Sequence, residues 1–175
     1  EFDAIIIGGN TLRNDNPLLT SRGSRIPEPL RVVFTRTLDL PEKSNLWDCN
    51  LAKTIVVYDA STANEKFLKR IPSCVDVEAI SSDNPQILSN LLAKKGCNKV
   101  LWECGPKLAT SALKAGCIQE LMTFIAPKIL GGKSSMNPFA DFEFVDMKDV
   151  INLSSTNVNF IGKDICVRSS IPLFK

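Results

Sequence analysis

Short apolar runs alternate with polar segments along most of the chain. Six runs rich in β-branched residues predict buried strands, at residues 4–7, 31–35, 54–58, 75–80, 99–102 and 121–125. Three segments between the later runs carry apolar residues at helical spacing and predict helices, at residues 63–71, 85–95 and 107–115. This alternation predicts an α/β fold whose sheet is largely parallel and covered by helices on both faces.

The last third of the chain has a different pattern. Residues 141–155 and 157–171 are two extended segments with partial alternation, separated by a possible turn near Gly162. We expect them to add antiparallel strands to the sheet and make it mixed. The polar stretches 10–22 and 37–53 predict loops.

Length and charge exclude several classes of protein. A chain of 175 residues is one domain of ordinary size rather than two. A net charge of +2 is too balanced for a nucleic-acid surface, so no nucleic-acid partner is expected. No apolar run reaches the roughly 18 residues of a membrane span, which predicts a cytoplasmic protein with no membrane partner.

The cysteines and the missing histidine narrow the chemistry further. Six cysteines are spread singly, without C-x-x-C spacing, and the chain has no histidine. This pattern favours free thiols in a reducing compartment and predicts no metal site. It also excludes Ser-His and Cys-His nucleophiles, which leaves acid–base work to carboxylates, lysines or the substrate.

The stretch "VLWECGPKLATSAL", residues 100–113, takes a predicted strand directly into a predicted helix. The carboxyl end of a parallel strand faces the crevice in which open α/β sheets bind ligands. Gly105 and Pro106 would shape a first helical turn whose unpaired N–H groups suit a phosphate. Glu103 would stand beside it as an acceptor for substrate hydroxyls. The alternative is an ordinary strand-to-helix turn with a solvated glutamate.

A second candidate is "GGNTLRNDNPLLTSR", residues 8–22, which follows the first predicted strand. Arg22 suits bidentate pairing with a phosphate, and Asp15 could accept from ribose or amide groups. The alternative is a polar loop capped before Pro17. Because both stretches follow strand ends, they could face one cleft.

Four separated motifs resemble one known family. They are "T-L-x-x-D-x-P-x-L-T-x-R" from Thr11, "P-L-R-V-V" from Pro29, "V-L-W-E-C-G-P-x-L-A" from Val100 and "A-P-K-I-L-G-G" from Ala126. In this order they resemble the reductase domain of the bifunctional riboflavin-biosynthesis deaminase/reductase, in its cyanobacterial or plant form. The resemblance implies a dihydrofolate-reductase-like fold, a mixed and mostly parallel sheet flanked by helices, with antiparallel strands at the C-terminal end.

The same resemblance implies a reaction and its residues. Family members use NADPH to reduce the ribosyl group of 5-amino-6-(5-phosphoribosylamino)uracil to the ribityl form. Their cofactor contacts fall on Thr11, Asp15, Gly105, Pro106, Lys107, Leu108, Ala109, Thr110 and Ser111. Their substrate contacts fall on Leu19, Arg22 and Glu103. Asp15 and Glu103 are the candidate catalytic residues, and a bound water is a third possible proton donor.

The sequence also departs from the family. Asn16 replaces the second acid of a pair found in many members. Thr35 and Arg36 stand where the family commonly has Asp-Ser, and Arg36 could instead meet the 2′-phosphate of NADPH. The family's first strand-helix unit has no counterpart, so we expect residues 1–175 to be one truncated reductase domain with an open sheet edge. The resemblance further implies a homodimer, a possible upstream deaminase domain and, in a plant, a plastid location.

Two other functions stay open at this point. A pterin or dihydrofolate reductase could share the fold, although the early helix that would carry its acidic residue is absent. A catalytically incomplete nucleotide-binding or assembly module would keep the fold without the turnover.

Overall fold

The computed structural model describes residues 2–129 and 137–172 of the chain. Eight strands and three α-helices follow one another along it. In chain order they are β1 Ala4–Gly8, α1 Gly9–Asp15, β2 Leu30–Thr35, β3 Thr54–Asp59, β4 Asp76–Ile80, α2 Pro85–Lys94, β5 Val100–Trp102, α3 Pro106–Lys114, β6 Glu120–Ile125, β7 Ser154–Ile161 and β8 Asp164–Ser170. The end of the "APKILGG" motif, residues 130–132, lies outside the described residues.

Five strands form a parallel sheet in the order β4-β3-β2-β1-β5. Its central strands are apolar on both sides, because each face is covered. One face packs against α2 and α3 through Ile6, Val32, Leu88 and other apolar residues. The opposite face packs against α1 and the loops. The predicted α/β class is confirmed, and each of the five strands lies within one residue of its expected bounds at either end.

The remaining strands form a second sheet, which corrects one expectation. We expected β6 in the parallel sheet and the last two strands beside it, but β6, β8 and β7 make a separate antiparallel sheet in that order. Within the described ranges β5 pairs only with β1, and β6 pairs only with β8. An antiparallel sheet needs cover on one face only, and large apolar side chains such as Phe124 and Phe160 are exposed here.

Helix α1 replaces part of the loop that we expected at residues 10–22. It forms because Leu12 is buried in the core and because Gly9 allows close packing. A Cβ at Gly9 would lie 3.1 Å from Thr35 Oγ1 and 3.2 Å from Leu40 Cδ2. The helix ends at Asn16, which has a left-handed backbone with φ 41°.

Of the helices predicted at residues 85–95 and 63–71, the first forms as an α-helix and the second does not. In α2, Asn84 caps the first turn by accepting from Gln86 N at 2.9 Å, and Pro85 takes the first helical position, as expected. The segment predicted as a helix at residues 63–71 is instead a 3₁₀ helix, Glu65–Arg70, with no buried residue. An α-helix here would lack the apolar burial that stabilises short helices.

Arg31 lies fully buried at the amino end of β2. Its guanidinium donates to the carbonyls of Leu46 at 3.0 Å, Asp48 at 2.8 Å and Ala52 at 2.7 Å. A longer contact of 3.4 Å reaches the carbonyl of Leu18. This one cation therefore joins two loops to the amino edge of the parallel sheet.

The described ranges contain no candidate membrane-spanning helix. Over residues 2–129 and 137–172, no helix has both the length and the apolar character needed to cross a bilayer.

Candidate active site

The first turn of α3 leaves backbone N–H groups without partners in the helix. Gly105 is the N-cap, Pro106 occupies the first helical position, and the first bond of the helix runs from Ala109 N to Gly105 O at 3.0 Å. The N–H groups of Lys107 and Leu108 consequently have no acceptor within the helix. A Cβ at Gly105 would meet nothing within 4 Å, so the approach to this turn is open.

The start of α3 lies beside the start of α1. A Cβ at Gly8, the N-cap of α1, would lie 3.6 Å from Leu108 Cδ2. The N–H of Glu103 donates to Ile6 O at 3.0 Å, which fixes the residue after β5 against β1. Thr11 is the third residue of α1. The structure thus brings Thr11, Glu103 and the first turn of α3 to one edge of the sheet, as the positions of the two strands predicted.

Glu103 is exposed at this edge. Its neighbour Cys104 is different, because burial raises the pKa of the Cys104 thiol to about 12. That thiol stays protonated near neutral pH and is a poor nucleophile. Glu103 is thus the residue of this pair whose side chain is open to a hydrogen bond from a ligand.

Thr110 is one of the expected cofactor contacts, but its hydroxyl is hydrogen-bonded within the protein. Its side chain is buried, and its hydroxyl accepts from Ala140 N at 2.8 Å. The same N–H lies 3.3 Å from Pro106 O. The segment that ends at Ala140 therefore covers one side of α3. Ser111 is exposed, but it lies beyond the turn that carries the free N–H groups.

Sequence reasoning missed two contributors to this edge. In the sequence, Gly8 is only the first of two glycines that follow a predicted strand. Its proximity to Leu108 depends on how α1 and α3 pack, which the sequence does not indicate. Ala140 lies 30 residues from its partner Thr110, and an alanine carries no signal for a backbone bond of this kind.

Asp15 lies at the far end of α1, which spans about 9 Å at 1.5 Å per residue. Arg22 is exposed in the loop that follows α1. The N–H of its neighbour Ser21 donates to a carboxylate oxygen of Glu28, and Arg25 pairs with Asp3 at 3.0 Å just before β1. These bonds hold the residues on either side of Arg22 near the amino end of the sheet.

Leu19 and Arg36 also differ in what they offer to a ligand. The side chain of Leu19 is buried in the core, so this residue offers its backbone, which has φ 48°. Arg36 follows β2 and is exposed, with its Nε 3.7 Å from Asp83 Oδ2. An exposed pair of this length contributes little stability, so Arg36 is free to turn toward an anion at the carboxyl edge.

A metal centre has no support among these residues. Across residues 2–129 and 137–172, no group of three or more cysteine, aspartate or glutamate side chains could hold a metal ion.

Comparison with known proteins identifies the family. The profile of the RibD C-terminal domain matches residues 1–167, nearly the whole chain. The chain belongs to the RibD C-terminal domain family. This match, with the α/β sheet already described, confirms the resemblance drawn from the four motifs.

Two relatives of the RibD C-terminal domain illustrate the match. The chain is 40% identical over 167 residues to the chloroplastic riboflavin biosynthesis protein PYRR of Arabidopsis thaliana, covering 94% of this chain and 28% of that protein. It is 40% identical over 165 residues to the riboflavin biosynthesis protein RibD of Synechocystis, covering 94% of this chain and 45% of that protein. The chain thus spans less than half of these relatives.

A shorter relative matches over most of its own length. A 2,5-diamino-6-ribosylamino-4(3H)-pyrimidinone 5′-phosphate reductase of Methanothermobacter thermautotrophicus is 29% identical over 176 residues, covering 98% of this chain and 81% of that protein. Among solved structures, the deaminase/reductase of Thermotoga maritima superposes with a TM-score of 0.78 at 22% identity, covering 98% of this chain and 46% of that one. This superposition supports the fold of the RibD C-terminal domain.

Proposed function

We propose that this RibD C-terminal domain reduces the ribosyl group of 5-amino-6-(5-phosphoribosylamino)uracil to its ribityl form with NADPH. The observation that carries the proposal is the family match over residues 1–167. Relatives named for riboflavin biosynthesis and for pyrimidinone phosphate reduction support it.

The start of α3 suits the diphosphate of NADPH. Two backbone N–H groups, of Lys107 and Leu108, lack an acceptor within the helix, and the helix dipole adds partial positive charge at this end. Open space around Gly105 lets an anion approach the backbone. Thr11 on the neighbouring helix and Arg36 after β2 supply further polar contacts, the arginine for the 2′-phosphate.

The remaining residues serve the substrate. NADPH supplies the hydride when it is bound. Glu103, exposed beside the α3 turn, accepts hydrogen bonds from the sugar hydroxyls and holds the reacting carbon in position. Asp15, the last residue of α1, orients the nicotinamide side of the cleft. Arg22 binds the substrate phosphate through its guanidinium.

Turnover with two substrates tests the proposal. The chain is mixed with NADPH and either the aminouracil ribosyl phosphate or its undeaminated diamino form, and the loss of the reduced nicotinamide's absorbance is followed. The proposal predicts turnover of the aminouracil compound, with a preference for NADPH over NADH. Turnover of only the diamino compound would assign the activity named for the archaeal relative. NADPH binding without turnover of either would favour a nucleotide-binding module.

Assembly and location belong to the same proposal. We propose a homodimer, and the apolar side chains exposed on the second sheet, such as Phe124 and Phe160, support an interface there. Sedimentation equilibrium measures the mass directly. An upstream deaminase domain is supported by the name of the Thermotoga maritima protein. We propose a cytoplasmic location, or the plastid if the chain comes from a plant, as for the chloroplastic relatives.

A further inference from the structure

Two cysteines that are 25 residues apart in sequence meet at the amino edge of the parallel sheet. Cys49 lies in the loop before β3, and Cys74 lies in the turn before β4. Cys49 Sγ is 3.2 Å from Cys74 O, and Cys74 Sγ is 3.6 Å from Trp47 O. Each cysteine therefore reaches into the other's loop.

The other four cysteines are arranged differently. Burial raises the pKa of Cys97 and Cys104, Cys166 is buried in β8, and the Cys117 thiol lies against Gln86 and Ala115. Within residues 2–129 and 137–172, a hydrogen bond from a cysteine thiol to another cysteine is found only between Cys49 and Cys74.

We propose that Cys49 and Cys74 form a reversible disulfide, which makes this edge of the sheet a redox-modification site. Both residues lie in turns rather than in strands, so a small backbone movement can bring the sulfurs to bonding distance. The site lies at the opposite edge of the sheet from Glu103 and the α3 turn. The proposal therefore stands independently of the reductase reaction.

The structure assigns the order of the two thiols. Cys74 is exposed and can reach an oxidant, whereas Cys49 is half-buried. Burial, followed by the neighbouring Cys74 thiol, raises the pKa of Cys49 to about 11. Cys74 is therefore the thiol that reacts first. The positive charge of Arg31 opposes part of this rise in the pKa of Cys49.

The chemistry is thiol–disulfide exchange with a small disulfide such as oxidised glutathione. The Cys74 thiolate attacks one sulfur of glutathione disulfide, the S–S bond breaks, and one glutathione leaves. The Cys49 thiolate then attacks the Cys74 sulfur and displaces the second glutathione. The two cysteines are oxidised, the glutathione disulfide is reduced, and the two protons lost by the cysteines pass to the two leaving thiols.

The disulfide closes a loop that contains β3 and the 3₁₀ helix Glu65–Arg70. Cross-linking a loop of this length restricts the unfolded chain and raises Tm by roughly 5–10 °C. The Cys49 side of the cross-link is already held, because Arg31 binds the carbonyl groups of Asp48 and Ala52.

Thiol trapping across a series of reduced and oxidised glutathione ratios tests the proposal. After alkylation and digestion, mass spectrometry should find a Cys49–Cys74 linked peptide under oxidising conditions, with four of the six cysteines still alkylated. The linkage should disappear on reduction. Full alkylation of both residues over the whole series, or glutathione retained on Cys74 of the unmodified sequence, would overturn the proposal.

Matched variants separate a specific disulfide from general oxidation. Cys49→Ser should retain glutathione on Cys74, and Cys74→Ser should lose both the linked peptide and the rise in Tm. Cys117→Ser removes an unrelated thiol and should keep both. A rise in Tm that persists in Cys74→Ser, or the same linked peptide missing from Cys117→Ser, would contradict the assignment.

Discussion

Replacing Arg31 with methionine tests whether one buried cation holds the loops at the amino edge of the sheet. Arg31 is fully buried, and its three short hydrogen bonds all reach backbone carbonyls. Methionine keeps much of the apolar stem and removes every donor. The change therefore isolates the hydrogen bonds from the packing.

The expected loss of stability depends on which hydrogen-bond donors each carbonyl retains in the variant. Leu46 O still accepts from Thr54 Oγ1 at 2.8 Å, and the contact of Arg31 with Asp48 O is only partly buried, so water can replace it. Ala52 O is in a buried contact and loses its donor. Nη2 shares its two hydrogens among these three carbonyls, and Nη1 donates to Leu18 O. Three N–H groups of a charged donor contribute roughly 5–9 kcal/mol, and relief from burying the cation offsets several kcal/mol. We expect unfolding to become easier by about 2–4 kcal/mol, a fall in Tm of roughly 5–15 °C.

Denaturant unfolding followed by circular dichroism measures this difference. Arg36→Met is the matched control, because Arg36 follows the same strand but its side chain is 70% exposed. We expect that control to change stability by less than about 0.5 kcal/mol. An Arg31→Met protein as stable as the original sequence would refute the reasoning. It would mean that the desolvation penalty of the buried guanidinium equals the stabilisation from its hydrogen bonds.

Two further predictions concern a carboxylate at each edge of the sheet. The pKa of Asp3 falls from 3.8 to about 2, because its carboxylate accepts first from the backbone N–H of Lys99 and then from the side chain of Arg25. The charged Asp3 therefore contributes its full stabilisation above pH 3.8, and this stabilisation is lost as the pH falls toward 2. Asp3→Asn should therefore be less stable at neutral pH and should match the original sequence near pH 2, and a difference that is constant with pH would contradict the assignment. Glu103→Gln should lower turnover about tenfold or more and leave the Kd for NADPH nearly unchanged. Stopped-flow kinetics measures the turnover, and NADPH fluorescence measures the Kd. Equal losses in turnover and in NADPH affinity would contradict the role of Glu103 at the sugar.

The sequence predicted the parallel sheet well because its strands are buried on both faces. Runs such as residues 54–58 are buried throughout and largely apolar, and this pattern depends little on which strand lies next to them. The second sheet could not be predicted in the same way. The pattern of β6 indicates a strand, but the choice between β5 and β8 as its partner depends on tertiary packing.

Helix α1 and the buried Arg31 show a second limit. The residues of α1 have low helix propensity, and the helix depends on burial of Leu12 and on the fit of Gly9 against Thr35. Arg31 lies within a run that predicts a buried strand, but nothing local indicates that backbone carbonyls would surround its charge.

The candidate site was predictable where it depends on strand order and less so where it depends on loops. Glu103 and the α3 turn follow β5, and their place at the carboxyl edge comes from the parallel sheet itself. Arg22 lies in a loop whose course is set by bonds such as that of Ser21 with Glu28. Such bonds bring the chain back to the amino edge, and no periodic pattern indicates them.

NADPH affinity in two charge-reversal variants of α3 tests the central claim most directly. Lys107 lies in the first turn and Lys114 at the last position of the same helix, and both are exposed. Lys107→Glu should favour the helix itself, because an acid suits its amino end, yet it should weaken NADPH binding about tenfold by placing negative charge beside the diphosphate. Lys114→Glu should leave the Kd for NADPH unchanged. Equal affinity in the two variants, or weaker binding only in Lys114→Glu, would contradict a dinucleotide site at the start of α3.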